Sequence, residues 1–191
     1  GGFVVPSSSE EDGVVTNGMS EYSRSGSNAN SAVVVSVDSR DFGSDWDGGI
    51  HYQRQLEQAA FRLGGGSYRA PVQTVGRFLA GQAGADFGRV EPTYAIGTQA
   101  ADFDRLFSPG VASMLRKGLE NFARKLPAYA AADAVLTAPE TRTSSPVRIP
   151  RGENFQSAGL QGLYPCGEGA GYAGGIMSAA VDGIRCAGAV I

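Results

Sequence analysis

The chain has 191 residues, 28 of them glycine and 9 proline. That glycine share is roughly twice the average near 7%, yet there is no Gly-X-Y period and 42% of the residues are hydrophobic, so collagen and disorder are excluded. A net charge of −3 and a pI near 5.2 lack the basic footprint of a nucleic-acid binder. No apolar run approaches the roughly 20 residues that span a bilayer, and the opening Gly1–Pro6 lacks the basic and apolar regions of a signal peptide. Two cysteines suit a reducing cytoplasm, which is the expected location. With one histidine, no multi-histidine metal site exists.

Residues 1–40 read as β-strands with turns. Phe3-Val4-Val5 is a short strand, and Val14-Val15-Thr16 resumes extended structure after a polar loop. Asn17-Gly18 is a turn dipeptide, because both residues tolerate positive φ. Ala32–Val37 is β-branched and short, the pattern of a buried strand.

Residues from about 50 to 130 read as helical. Tyr52–Leu63 places Leu56, Ala59, Ala60 and Leu63 on one stripe, with Gly64-Gly65-Gly66 as the stop. Pro71 is expected to begin a second helix that buries Val72, Val75, Phe78 and Leu79 and ends at Gly81. Ser108-Pro109 is an N-cap and first-turn proline for a helix bearing Val111, Leu115, Leu119, Phe122 and Leu126, closed by Pro127.

The remainder returns to mixed texture. Ala134–Thr137 and Leu163–Cys166 are strand candidates, and Pro146–Pro150 is extended. A Gly-rich turn, Gly167–Gly175, opens a helix over Ile176–Ala187 with Ile176, Ala179, Ala180, Ile184 and Ala187 on its apolar side. The order predicts an α+β fold: a β-containing body, an inserted helical subdomain, and a terminal strand–Gly-rich loop–helix unit.

Chemistry concentrates in that last unit. Gly169, Gly171 and Gly174 spell G-x-G-x-x-G, the dinucleotide fingerprint. The fingerprint also needs a second strand and an acid about 20 residues on, and Ile191 comes first. A cofactor-contact turn fits better. Glu168 can accept hydrogen bonds from sugar or ribityl hydroxyls, and Gly174-Gly175 lets backbone approach a flat ligand. Ile176 and Met177 then offer the free N–H groups and positive dipole end of a helix N-terminus. Cys166 reads as a small buried residue at a strand end. His51 reads as a surface or cap residue, and no catalytic acid or base can be named.

Gly162-Leu163-Tyr164-Pro165-Cys166-Gly167-Glu168-Gly169-Ala170-Gly171-Tyr172-Ala173-Gly174-Gly175-Ile176-Met177-Ser178 resembles the C-terminal FAD-binding segment of bacterial FAD-dependent dehydrogenases of uncharacterised substrate, in the two-dinucleotide-fold flavoprotein class. Val15–Ser20, Asn28–Ala32, Gln55–Phe61 with Gly64–Gly66, Ala70–Gln73 and Glu140–Arg148 are similar to the same family, so the likeness spans nearly the whole chain. Members of that family open with a strand–G-x-G-x-x-G–helix Rossmann segment that this sequence lacks. The resemblance therefore implies the C-terminal portion of a larger enzyme, with residues 1–139 in an inserted substrate-side domain and 140–191 in the FAD domain.

It further implies an FAD-dependent oxidoreductase that moves hydride between FAD and an unknown substrate, with NAD(P)H as a candidate electron partner. Gly167, Glu168, Gly174, Gly175, Ile176, Met177, Arg142 and Ser144 are the cofactor-side candidates. Asn28, Asn30, Ser31 and Arg148 are the substrate-side candidates. The missing Rossmann segment is the principal partner, and without it this stretch is expected to be inactive and to hold no FAD tightly. An uncovered sheet edge or apolar face would favour a homodimer. Two alternatives remain at this stage: a non-catalytic substrate-binding or structural module, or a small phosphate- or nucleotide-binding α/β module using Gly169–Gly175 as an anion nest.

Overall fold

The computed structural model describes residues 1–191, and the fold is α+β. The chain forms two compact units, each drawn from two stretches of sequence. One comprises Gly1–Val37 with Arg54–Thr141, the other Asp38–Gln53 with Arg142–Ile191. The chain passes between them after Val37, Gln53 and Thr141, so Asp38–Gln53 groups with the C-terminal residues although it lies far earlier in the chain.

In the first unit, β1 (Phe3–Pro6) pairs antiparallel with β2 (Thr16–Met19). Asn17 and Gly18 are not a turn. They lie within β2, opposite Val5 and Val4. The chain reverses earlier, through the polar loop before Val14, where Asp12 takes a positive φ of 55°. Gly18 serves a different need. A Cβ there would lie 2.6 Å from Asn30 Oδ1, so the missing side chain lets Asn30 lie across the hairpin. Asn30 Nδ2 donates to Met19 O at 3.0 Å and Phe3 O at 3.3 Å.

Ala32–Val37 is also corrected. It is extended but belongs to neither sheet, and Val34 and Val37 are exposed. β-branched residues favour extended backbone without ensuring a ladder partner.

The core forms around β3 (Ala70–Thr74), buried at all five positions. It is the middle strand of a three-stranded sheet, parallel to β4 (Thr98–Ala100) and antiparallel to β5 (Val135–Thr137). Pro71 therefore begins no helix. It is tolerated in a central strand because β5 pairing starts at Val72↔Thr137, and Pro71 contributes only its carbonyl, to Ala138 N–H at 3.2 Å. The short helix α3 (Val75–Leu79) comes next, and Gly81 ends its turn at φ 66° as expected.

Gln73 ties this core together. Its Nε2 donates to Gln82 O at 2.7 Å, and its Oε1 accepts from Phe103 N–H at 3.0 Å. Phe78 and Phe103 meet edge-on at 6.0 Å, and burying each ring stabilises the fold by about 1.5–3 kcal/mol.

Two longer helices accompany these strands. The first, α2, runs Gly48–Leu63, somewhat longer at its start than the stripe predicted. It closes as a Schellman motif, with Gly66 N–H to Phe61 O and Gly65 N–H to Arg62 O, and Gly65 and Gly66 at positive φ. The second, α4 (Pro109–Ala123), is capped by Ser108 Oγ and buries Val111, Ala112 and Leu119. Phe122 and Leu126 are exposed rather than inward: Leu126 lies past the helix end at Ala123, and Phe122 meets only the Tyr129 ring of the following 3₁₀ segment, Pro127–Ala130, at 5.5 Å among aromatic neighbours.

In the second unit, α1 (Ser39–Phe42) is capped by Asp38, and α5 (Ile176–Val190) ends the chain. Leu163–Cys166 is not a strand but an irregular segment. No helix is long and apolar enough to cross a membrane.

Tyr94 is 5% exposed in the core of the first unit, and its hydroxyl has no hydrogen-bond partner. Such a group carries its desolvation cost uncompensated. Replacing Tyr94 with Phe is expected to raise unfolding stability by about 1 kcal/mol in urea titration. A loss of stability would show that the hydroxyl is bound.

Candidate functional site

The candidate site is the Gly167–Gly175 turn and the first turn of α5, all within the second unit. The turn is built by backbone bonds. Gly167 takes φ 71° and Gly171 φ 81°, conformations that glycine adopts without strain. Gly171 N–H donates to Glu168 O at 2.9 Å, and Tyr172 N–H to Gly167 O at 3.0 Å. Gly171 also lies against Val147 O, where a Cβ would collide at 2.6 Å. Ser145 Oγ donates to Val147 O at 2.8 Å and Gly169 O at 3.2 Å, so the extended segment beside the turn is laced to it.

One side chain holds turn and helix together. The Arg151 guanidinium donates to both Asp182 oxygens, at 2.6 and 2.9 Å, and to Pro165 O at 2.7 Å. Its Nη1 also lies 3.2 Å from Cys186 Sγ. It stacks on the Tyr172 ring at 3.7 Å and lies 4.7 Å from the Phe155 ring. The arginine and aspartate side chains are only 9% and 12% exposed. Asp182 Oδ2 also accepts Gly167 N–H at 2.9 Å. Hydrogen bonds from Arg151, then from Gly167, hold the Asp182 carboxyl down to about 2.

Two observations fit an anionic or electron-rich ligand at the mouth of this turn. Gly175, the N-cap of α5, has no side chain with which to cap the first N–H groups of the helix. Gly174 has no positive φ, and a Cβ there would meet no atom within 4 Å. With no side chain and no neighbour against it, the Gly174 backbone is open to a molecule lying over it. Glu168 is half-buried on the same turn, and Ile176 and Met177 present their side chains to solvent at 91% and 75% exposure. Ile176 was expected on the inward, apolar side of the helix. The covered face of α5 is instead Ala179, Asp182 and Cys186, and Ile184 also points out.

The other candidates divide between the units. Arg142, Ser144 and Arg148 are exposed in the second unit, with the Arg148 guanidinium 4.2 Å above the Tyr172 ring. Tyr172 thus stacks with two arginines, Arg148 and Arg151. Asn28, Asn30 and Ser31 lie in the first unit. Asn28 Nδ2 donates to Glu91 O at 2.8 Å, and Ser31 Oγ accepts from Tyr129 at 3.1 Å. Cys166, expected to be buried, is exposed, because its segment is a surface loop rather than a strand end. His51 is a surface residue that pairs with Asp47 at 3.1 Å.

Sequence reasoning missed Arg151, Asp182 and Tyr172. The available signal was Asp182, a lone acid on an otherwise apolar helix face. It also missed Glu57, which is 2% exposed in the first unit and accepts from Thr141 Oγ1 at 2.6 Å. Nearby in sequence, burial pushes the Glu140 carboxyl up.

A family model described as FAD-dependent protein, C-terminal domain-like matches residues 1–143. The chain belongs to this family of FAD-dependent protein C-terminal domains. An uncharacterised protein of Clostridium beijerinckii is 48% identical over 192 residues, covering all of this chain and 36% of that relative. The chain thus spans about a third of that relative's length. The family match covers the first unit, Asp38–Gln53 and the first two residues of the second unit's C-terminal stretch, whereas the likeness to the relative extends through the Gly-rich turn.

The Arg151–Asp182 pair gives a pH dependence of defined sign. A carboxyl lowered from 3.8 to about 2 stabilises the fold above its ordinary value and ceases to do so as pH falls toward 2. Resistance of the wild-type chain to chemical denaturation is expected to weaken as pH falls across that interval, and Asp182→Asn to flatten the dependence. Equal slopes in the two proteins would show that the pair is not the source.

Proposed function

We propose that this chain is the C-terminal part of an FAD-dependent oxidoreductase of the dehydrogenase type, and that Gly167–Met177 contacts the flavin. When bound, FAD would supply the hydride-accepting and hydride-donating chemistry. The chain's own task is orientation and electrostatics. Glu168 accepts hydrogen bonds from ribityl hydroxyls. The Ile176 and Met177 N–H groups and the positive end of α5 face the edge of the ring system that gains negative charge on reduction. Arg142 and Ser144 lie on the cofactor side, and Arg148 on the substrate side. Asn28, Asn30 and Ser31 are the first unit's own candidates for contact with substrate.

The observation that carries this reading is the open backbone at Gly174, which no neighbour covers, two residues before the start of a helix without a side-chain cap. Its support in sequence is membership of a family of FAD-dependent proteins.

The intact protein would add the Rossmann segment that holds the pyrophosphate and adenosine. The outward side of α5 supports such a partner. Ile176, Met177, Val181, Ile184 and Val190 are all exposed, and a helix apolar on both sides is normally covered on both. A second copy fits less well. A helix about 22 Å long offers a patch of a few hundred Å², short of the roughly 800 Å² per partner of a standard interface. A tethered segment needs less, because its effective concentration is high.

The decisive measurement compares flavin retention after desalting in the full-length protein and in its Gly174→Val variant. The variant is expected to fold normally, with unchanged thermal unfolding of the apoprotein, and to bind FAD at least about tenfold more weakly, equivalent to about 1.4 kcal/mol. Unchanged retention would remove Gly174 from the site. Failure of the full-length wild-type protein to hold flavin would overturn the assignment as a whole.

A further inference from the structure

The chain's two cysteines stand 20 positions apart in sequence, yet the fold brings their backbone segments together. Cys166 lies between two residues pinned to α5. On one side, Pro165 O is 3.9 Å from Cys186 Sγ. On the other, Gly167 N–H donates to Asp182 at 2.9 Å. The thiols occupy contrasting settings. Cys166 is exposed, and Cys186 is 3% exposed with the Arg151 guanidinium 3.2 Å from its sulfur.

We propose that Cys166 and Cys186 form a reversible dithiol–disulfide couple that exchanges with low-molecular-weight disulfides, Cys166 attacking and Cys186 resolving. This proposal stands on the thiol geometry and does not depend on the flavin reading.

The roles follow from access. Only Cys166 can meet a solvent-borne disulfide, and an accessible thiol beside a buried one is the arrangement of attacking and resolving cysteines. Burial pushes the Cys186 thiol up. The Arg151 guanidinium pulls it down, and the Asp182 carboxylate and the neighbouring Cys166 thiol push it up further. Cys186 therefore rests protonated, while the guanidinium at 3.2 Å stands ready to stabilise its thiolate when it reacts.

The exchange balances. The Cys166 thiolate attacks one sulfur of the small disulfide, forming a mixed disulfide and expelling one thiolate. The Cys186 thiol gives up its proton, and its sulfur attacks Cys166 Sγ and expels the second thiolate. Two S–H bonds become one S–S bond, and the two hydrogens and two electrons pass to the small disulfide, which leaves as two thiols. The product would staple the residue before Gly167-Glu168 to the penultimate turn of α5. Oxidation would thereby lock the Gly-rich turn onto the helix that it opens.

The test equilibrates the native 191-residue chain with mixtures of reduced and oxidised glutathione. Samples are acid-quenched, alkylated and mapped by mass spectrometry. The expected product is an intramolecular Cys166–Cys186 disulfide. Its equilibrium constant should be at least about tenfold greater in the native chain than in guanidinium chloride, because the fold holds the thiols together. Cys186→Ser and Cys186→Ala should each trap glutathione on Cys166, whereas Cys166→Ser should leave Cys186 largely unmodified. Three results would each overturn the proposal: wild-type chain accumulating as the mixed disulfide, disulfide-linked dimers as the main product, or a native constant no greater than the denatured one.

Discussion

The second unit depends on one buried ion pair. Arg151 and Asp182 lie far apart in sequence, and their contact joins a loop residue to the middle of the terminal helix. A buried pair of this kind is costly to assemble, because both charges leave water. Here the cost is met by saturation. The guanidinium also finds a carbonyl and two aromatic faces, and the carboxylate also finds a backbone N–H. Removing either partner would strand the other in a site only about a tenth exposed. The Gly-rich turn inherits its shape from this arrangement, since Gly167, Pro165 and Tyr172 are all held by the pair or stacked on it.

The first unit is organised on a different principle. Its centre is a fully buried five-residue strand whose one amide side chain, Gln73, satisfies two backbone groups of neighbouring loops. Apolar burial supplies most of the stability there, and the glutamine specifies which loops lie beside the strand. One unit is thus held mainly by area and the other by a saturated charge pair.

Helices were legible in the sequence where local chemistry alone decides them. Ser108-Pro109 and Gly64–Gly66 mark their helix ends through hydrogen bonds made within a few residues. Strands were less legible because pairing is a long-range decision. Ala70–Thr74 carries a proline that reads as a helix start, and only its distant partners Thr98–Ala100 and Val135–Thr137 make it a strand. Asn17-Gly18 reads as a turn until Asn30 is seen packed over the glycine. The Gly-rich turn and its helix were found from sequence, but the arginine that holds them was not. A single Arg in a polar loop looks like any solvated charge until Asp182 and Tyr172 meet it. The inward side of α5 is hard to read for a related reason. The helix is apolar nearly all round, so periodicity could not choose a face, and the choice fell to Asp182.

The unpaired run Ala32–Val37 has a practical consequence. A short β-branched stretch with exposed valines and no ladder partner is a template on which another chain can add a strand. Solubility of the isolated polypeptide will therefore depend on the residues just after Val37. These are Asp38, Ser39, Arg40 and Asp41, where Asp38 caps a helical turn and pairs with Arg40 at 2.6 Å. A charged, capped turn at the end of a sticky run acts as a gatekeeper, limiting how far an added strand can extend. Substitutions at Asp38 would thus be felt first as aggregation during expression, before any loss of fold.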